Sequence, residues 1–284
     1  YTGSSASPYP RSGGIVNVST LIAAQTLYVY NNFVSGIYCT QPNISTPQSV
    51  GNMQTYGIYS GGAAITAYLY HNTIYLRDFP DCRYYVSTAC VYFVTAVFTA
   101  RNNIFKNEYT YGISGTGKSY CMYIPSGTFA SDYNMFYINN ASPTAPYFVG
   151  ADNVGDKATL SDWRGGIRDL NSNYNNAVFK NATLGAEDLH LDFSSIPFYD
   201  NSKYYGTNTT MATVTDDIDG EARIRPLKGA DEVDFCTPLP TISSTNSPIC
   251  TGNNAVFTIT GFPNSQVTYK MNGGSNQTAI LNTS

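Results

Sequence analysis

Charge is scarce in this chain of 284 residues: 12% are Asp, Glu, Lys or Arg, with 15 cations against 19 anions and a net charge of −4. A soluble domain ordinarily carries about 25% charged residues, so other groups must hydrate this surface. Without a basic excess nothing neutralises a phosphate backbone, which argues against a nucleic-acid partner. No apolar run approaches the ~20 residues of a membrane-spanning helix. Strong helix formers such as Leu, Glu and Lys are few. There are two His: His71 beside a turn Asn and His190 in Asp-Leu-His-Leu. Neither carries the partner pattern of a triad or a metal site, and both read as structural.

What fills the gap is 25 Tyr, 24 Gly and an abundance of Asn, Ser and Thr. The 14% aromatic content argues against disorder. Dominance of Tyr, Val, Thr, Ile and Phe favours an all-β fold. The six Cys fit an oxidising, extracytoplasmic setting. The sequence starts at Tyr1 without an initiator Met or signal peptide, and reads as a mature or trimmed piece of a longer secreted protein.

Self-similarity sets the architecture. The segments Ser19–Asn32, Tyr59–Asn72, Cys90–Asn103 and Cys121–Asn134 align on a terminal Asn without gaps, the Asn positions lying 40, 31 and 31 residues apart. Two residues beyond each Asn stands a large apolar side chain: Val34, Ile74, Phe105 and Phe136. Short strands separated by turns cannot bury an apolar face alone, but stacked at ~4.8 Å per layer they pair with their equivalents. Asn32, Asn72, Asn103 and Asn134 then form a turn ladder, a role for which Asn is suited by its tolerance of left-handed angles and its hydrogen-bonding amide. A β-propeller blade needs four strands in ~40 residues, more than two of these intervals hold. The spacing predicts a right-handed parallel β-helix.

A further succession follows: Ala158-Thr-Leu-Ser-Asp-Trp-Arg, Asp169-Leu-Asn-Ser, Ala177-Val-Phe, Asp188-Leu-His-Leu, Asp217-Ile-Asp-Gly-Glu-Ala-Arg and Gly229-Ala-Asp-Glu. This order resembles the closing section of secreted β-helix proteins of the pectin-lyase-like superfamily, especially those of Bacteroidota. The resemblance implies a β-helix over residues 1–235, closed by about 150–235. It leaves activity open, because lyases, hydrolases and non-catalytic adhesins share the fold. Cys236-Thr-Pro-Leu-Pro-Thr marks a linker. Residues 236–284 resemble the beginning of an Ig-like or PKD-like β-sandwich module, cut short because such modules need ~100 residues. Further domains of the same polypeptide are expected on the C-terminal side.

Residues that bear chemistry are few. Gly112-Ile-Ser-Gly-Thr-Gly-Lys-Ser119 matches the phosphate-loop pattern, but strand-like residues follow where a helix is required, so it reads as a loop. Asp216, Asp217 and Asp219 are weak calcium candidates without an EF-hand pattern, and no other cofactor is expected. No catalytic set stands out. If the chain is an enzyme, Arg101, Lys106 and Glu108 around one Asn turn are the residues to carry it. Repeat and loop positions pair Cys90 with Cys121, Cys39 with Cys82 and Cys236 with Cys250, Cys82–Cys90 being the alternative.

The expected function is that of a non-catalytic segment of a large secreted, cell-surface protein. It would act as an adhesin or stiff spacer contacting glycans or partner proteins through a Tyr- and Asn-rich face. By resemblance, export by type IX secretion and a place among gliding-motility adhesins follow. The alternatives are a polysaccharide lyase or glycosidase, and a subunit of an extracellular filament.

Overall fold

The computed structural model describes residues 12–18, 24–38, 55–61, 65–78, 87–94, 96–109, 117–139, 147–193, 203–208, 214–223, 226–232, 241–244, 257–260, 266–270 and 274–281. The chain divides into two compact units, one of residues 1–196 with 200–232, the other of 233–284 with 197–199.

In the first unit each repeat contributes one strand to each of three sheets. Sheet 1 holds β1 (Ser12–Asn17), β4 (Thr55–Ser60), β7 (Thr88–Phe93), β10 (Ser119–Tyr123) and β13 (Tyr147–Asp152), all parallel. Sheet 2 holds β2 (Gln25–Tyr30), β5 (Ile65–Tyr70), β8 (Ala96–Arg101) and β11 (Gly127–Asp132). Sheet 3 holds β3 (Phe33–Val34), β6 (Thr73–Arg77), β9 (Ile104–Glu108), β12 (Met135–Ile138) and β15 (Asn173–Tyr174). The result is an all-β stack of parallel strands, compatible with a β-helix. Parallel sheets bury both faces in most folds, and the inner strands of sheet 1 follow this rule, with β7 buried throughout.

Register keeps like on like. Val34 pairs with Ile74, Ile74 with Phe105 and Phe105 with Phe136. In sheet 2 the inward column is Leu27, Ala67, Phe98 and Phe129, with the last two rings stacked at 5.2 Å. Trp163 continues that stack at 5.4 Å from Phe129 and plugs the end of the core. It rides on a short helix, α1 (Leu160–Arg164), started by a reciprocal capping box between Thr159 and Asp162. Its indole fits because position 150 is Gly: a Cβ there would lie 2.3 Å from the ring.

The turns between sheets 2 and 3 are tied by a side-chain ladder. Asn32 Nδ2 donates to Asn72 Oδ1, Asn72 Nδ2 to Asn103 Oδ1 and Asn103 Nδ2 to Asn134 Oδ1, each at 2.9 Å. Each inner amide also reaches back to the previous repeat, Asn72 to Val29 O, Asn103 to Leu69 O and Asn134 to Ala100 O. One side chain thereby joins three repeats. The row ends on Asp169, a buried carboxylate that accepts from Asn134 Nδ2 at 3.2 Å, Ser172 Oγ at 2.5 Å and Trp163 Nε1 at 2.8 Å. Burial raises its pKa, and these donors oppose the rise.

Two details depart from the sequence reading. The left-handed residue is not the ladder Asn but the one before it: Asn31, His71, Asn102 and Tyr133 have φ of 52°, 52°, 58° and 57°. Their geometry turns the chain while the following Asn stays free to face its neighbours. Cys90 and Cys121 do stand side by side, since the positions flanking them pair in register, yet both are free buried thiols and not a disulfide. In-register parallel strands sit ~4.8 Å apart, wider than the 3.5–4.5 Å that bridged Cβ atoms require. The Cys121 thiol instead donates toward Phe105 O at 3.5 Å and Tyr137 O at 3.3 Å, on sheet 3. Cys39, Cys82, Cys236 and Cys250 lie outside the described residues, as does the alternative partner of Cys90.

After β13 come β14 (Gly155–Lys157), which pairs antiparallel with it, and the hairpin of β16 (Phe179–Asn181) and β17 (Asp188–Leu191). This closing segment lies over sheet 3 and the turn column. Arg77 donates to Ala182 O, and Lys106 Nζ to Ala177 O at 3.0 Å. Arg223 Nη2 donates to Asn31 Oδ1 at 2.8 Å, His71 Nδ1 contacts Leu227 O at 2.9 Å, and Gly229 N donates to Asn102 O at 2.8 Å. Three of the left-handed residues, Asn31, His71 and Asn102, are therefore also docking points of the closing segment.

The second unit contains two antiparallel pairs. Strand β18 (Thr241–Ser244) pairs with β19 (Phe257–Thr260), and β20 (Gln266–Tyr269) with β21 (Gln277–Ile280).

Candidate functional site

Sequence neighbours around the turn at Asn103 separate onto different sheets. Arg101 ends β8 in sheet 2, in register with Tyr70 and Asp132. Lys106 and Glu108 lie on β9 in sheet 3 and pair at 3.3 Å. The Lys106 side chain is 8% exposed, enclosed by the rings of Tyr75, Phe179 and Tyr137 at 5.0, 5.2 and 5.6 Å. Tyr75 OH donates to Glu108 Oε2 at 2.6 Å. Burial pulls the Lys106 ammonium below the ordinary lysine value, with Glu108 opposing the shift. Burial and the Glu108 bond raise the Tyr75 phenol. A catalytic base must reach the proton it takes, and Ala177 and Phe179 stand over this one. The pair clamps the closing segment to sheet 3, with Arg101 on another sheet.

The acidic run at 216–219 likewise splits by role. The Asp216 backbone carbonyl accepts from Asn31 Nδ2 and, at 3.2 Å, from Arg223 Nε. Both carboxylate oxygens of buried Asp217 are taken by backbone N–H groups: Asp219 at 3.0 Å, Glu221 at 2.9 Å and Glu232 at 3.2 Å. Asp219 turns to His190, its Oδ2 lying 2.9 Å from Nε2, while His190 Nδ1 contacts Asp188. Among the described residues, one group of three metal-ligating side chains has its donor atoms within 4.8 Å of one another: His190, Asp219 and Asp231. In the sequence His190 shows no partner pattern and reads as structural; Asp219 and Asp231, which the fold brings to it, lie 29 and 41 residues further along the chain. The only local signal was Asp188, two residues before it.

At the loop resembling a phosphate binder, β10 begins at Ser119, so no helix N-terminus follows Lys118. Lys118 pairs with Asp156 and lies 5.4 Å from the Phe148 ring. Residues 112–116 fall outside the described set.

Sheet 2 presents a different surface. Its outward columns run Thr26, Thr66, Val97, Thr128, then Tyr28, Tyr68, Thr99, Ala130, then Tyr30, Tyr70, Arg101, Asp132. Tyr28, Tyr30 and Val97 are 52%, 46% and 54% exposed. The Tyr28 and Tyr68 rings stack at 5.0 Å with 14° between planes, and Tyr70 leans on Tyr68 at 5.8 Å. Period-2 alternation puts Leu27, Val29, Leu69 and Phe98 inside, so these tyrosines are free of core packing. The face combines flat aromatic area with hydroxyls, and its one cation and one anion, Arg101 and Asp132, sit in register. Rings of this kind stack on apolar faces of ligands while their hydroxyls bond at the edge. Compared with known proteins, the chain matches no family model, no curated protein and no solved structure.

Proposed function

We propose that the first unit is a right-handed parallel β-helix acting as a non-catalytic segment of a large secreted, cell-surface protein of adhesin type. On this reading the chain belongs with the pectin-lyase-like β-helix proteins of Bacteroidota, and the second unit begins an Ig-like or PKD-like module. The stack supplies stiffness, and the outer face of sheet 2 supplies contact, to a glycan or to another surface protein. One observation carries the reading: the tyrosine columns at Tyr28, Tyr68, Tyr30 and Tyr70 face outward on a regular sheet. Meanwhile the Lys106–Glu108 pair lies under the closing segment.

Sugar recognition uses stacking of a ring face on an aromatic side chain with hydrogen bonds around it, and a charge-poor face suits neutral saccharides. The test is a glycan array on the full chain, run beside a lyase and reducing-end assay with and without calcium. Binding without release of sugar ends, weakened at least tenfold in a Tyr28→Ala/Tyr68→Ala variant, is expected. Turnover, or binding that the double variant leaves intact, overturns the proposal.

A further inference from the structure

The strongest unassigned constellation is the one around His190. The imidazole is held from three sides: Asp188 contacts Nδ1, Asp219 Oδ2 lies 2.9 Å from Nε2, and the Phe33 ring meets it edge-on at 4.9 Å. A carboxylate at each nitrogen calls for positive charge on this ring, met either by the imidazolium, which donates from both nitrogens, or by a cation held at Nε2 while Nδ1–H donates to Asp188. Asp231, buried and held by a bond from Leu191 N at 3.0 Å, adds a third carboxylate within reach. Carboxylates outnumber cations around the ring, even with His190 counted as a cation. Asp188, Asp217, Asp219, Asp231 and Glu232 act on this neighbourhood, against the permanent cations Lys180 and Arg223.

We propose that His190, Asp219 and Asp231 form a binding site for a divalent transition-metal ion of the zinc class. Ligands ~2.1 Å from one ion stand about 3 Å apart when cis and somewhat over 3.4 Å apart in a tetrahedron. His190 Nε2 and Asp219 Oδ2 lie 2.9 Å apart, a hydrogen-bond distance about half an ångström short of the tetrahedral spacing, so an ion would replace that bond and part the two groups slightly. Asp219 is exposed and able to adjust toward Asp231. An imidazole donor selects against calcium, which takes oxygens, and favours zinc or a neighbouring ion.

The support of the site has the form that metal centres use. Asp188 on Nδ1 orients the ring and directs the Nε2 lone pair at the ion. Asp217 is a positioning residue: its carboxylate binds the backbone of Asp219 and Glu221 on one turn and of Glu232 on the other. Ile218 N donates to Ala230 O at 3.0 Å and joins the same two turns. The ion would fasten β17 to both turns, locking the closing segment over the stack.

The test is calorimetric titration of the full chain with zinc chloride, accessible thiols alkylated beforehand, together with a thermal melt. His71 is buried, so His190 is the one imidazole open to the metal among the two in the sequence. Expected is one zinc per chain, a raised melting temperature, loss of binding in His190→Ala and at least tenfold weakening in Asp219→Asn. Asp188→Asn weakens binding 10- to 100-fold through ring orientation, and Asp216→Asn, outside the ligand set, leaves it unchanged. Absence of uptake overturns the proposal, as does zinc retained by both His190→Ala and Asp219→Asn, or displacement of zinc by equimolar calcium.

Discussion

Replacing Asn103 by Asp changes one NH2 group to oxygen at nearly constant volume, in the middle of the side-chain ladder. Asn103 is fully buried. Its Nδ2 donates to Leu69 O at 2.9 Å, Arg101 O at 3.0 Å and Asn134 Oδ1 at 2.9 Å, while its Oδ1 accepts from Asn72 N and Nδ2 at 2.9 Å each. Truncation to Ala strands groups on both sides. At about 1–3 kcal/mol for each buried polar group left unpaired, and allowing for acceptors with a second donor, Asn103→Ala should cost about 4 kcal/mol. A carboxylate keeps the two accepted bonds but sets a charge against three oxygens, an uncompensated burial of about 3–5 kcal/mol in its own right. Asn103→Asp should therefore be less stable at pH 7 than Asn103→Ala, despite its closer shape. The desolvated carboxyl has a pKa above its unfolded value, so proton uptake favours the folded state. The excess cost of Asp over Ala then shrinks as pH falls toward 5, and comparing the two variants cancels every other titration. Urea unfolding of both at pH 7 and pH 5 reads the effect as a midpoint shift. An Asp variant within ~1 kcal/mol of the unsubstituted chain at pH 7 would refute the reasoning about the ladder.

Burial and the nearby Arg223 push His71 down to about 3, against about 6.5 in the unfolded chain. The folded state binds the proton less well, so stability is fully present above pH 6.5 and declines as pH falls toward 3. The loss is roughly 2 kcal/mol by pH 5, and His71→Gln, which can still donate to Leu227 O, should flatten the profile; parallel profiles would contradict it. Cys90 and Cys121 are buried thiols, with burial and the neighbouring Cys121 raising the Cys90 pKa. Iodoacetamide followed by mass spectrometry should leave both untouched in the native chain and label both in urea, whereas a disulfide-linked peptide pair would disprove the free state.

The parts legible in the sequence are those that repeat. Equal spacing of Asn72, Asn103 and Asn134, with an apolar residue two positions on, is the same information as the register of sheet 3. The β10 strand after Lys118 was equally legible, because Tyr-Cys-Met-Tyr is a short strand-like run and Pro125 breaks any helix there. What remained hidden depends on contacts without a period. Lys106 reads as a solvated charge until Ala177 and Phe179, more than 70 residues away, lie over it. Asn102 and Thr207 exchange two hydrogen bonds across 105 residues, and no local pattern announces such a partner. The thiol pair shows a subtler limit. Equivalent repeat positions identify neighbours correctly, but a disulfide requires a Cβ separation that parallel strand spacing does not supply. The same contacts decided the candidate sites, moving Asp217 from metal ligand to backbone tie and His190 from background to centre.

The ladder also has a direction. Every amide passes its donation to the next rung, and the last rung hands it to Asp169, which receives and gives nothing onward. A tandem duplication of one 31-residue unit, the interval between Asn72 and Asn103, inserts a rung whose two ends match the neighbours it separates. A fraction of a unit breaks the series, and so does any unit placed beyond the carboxylate. Length in such a molecule is thus a heritable variable that changes in whole steps on one side of a fixed terminus.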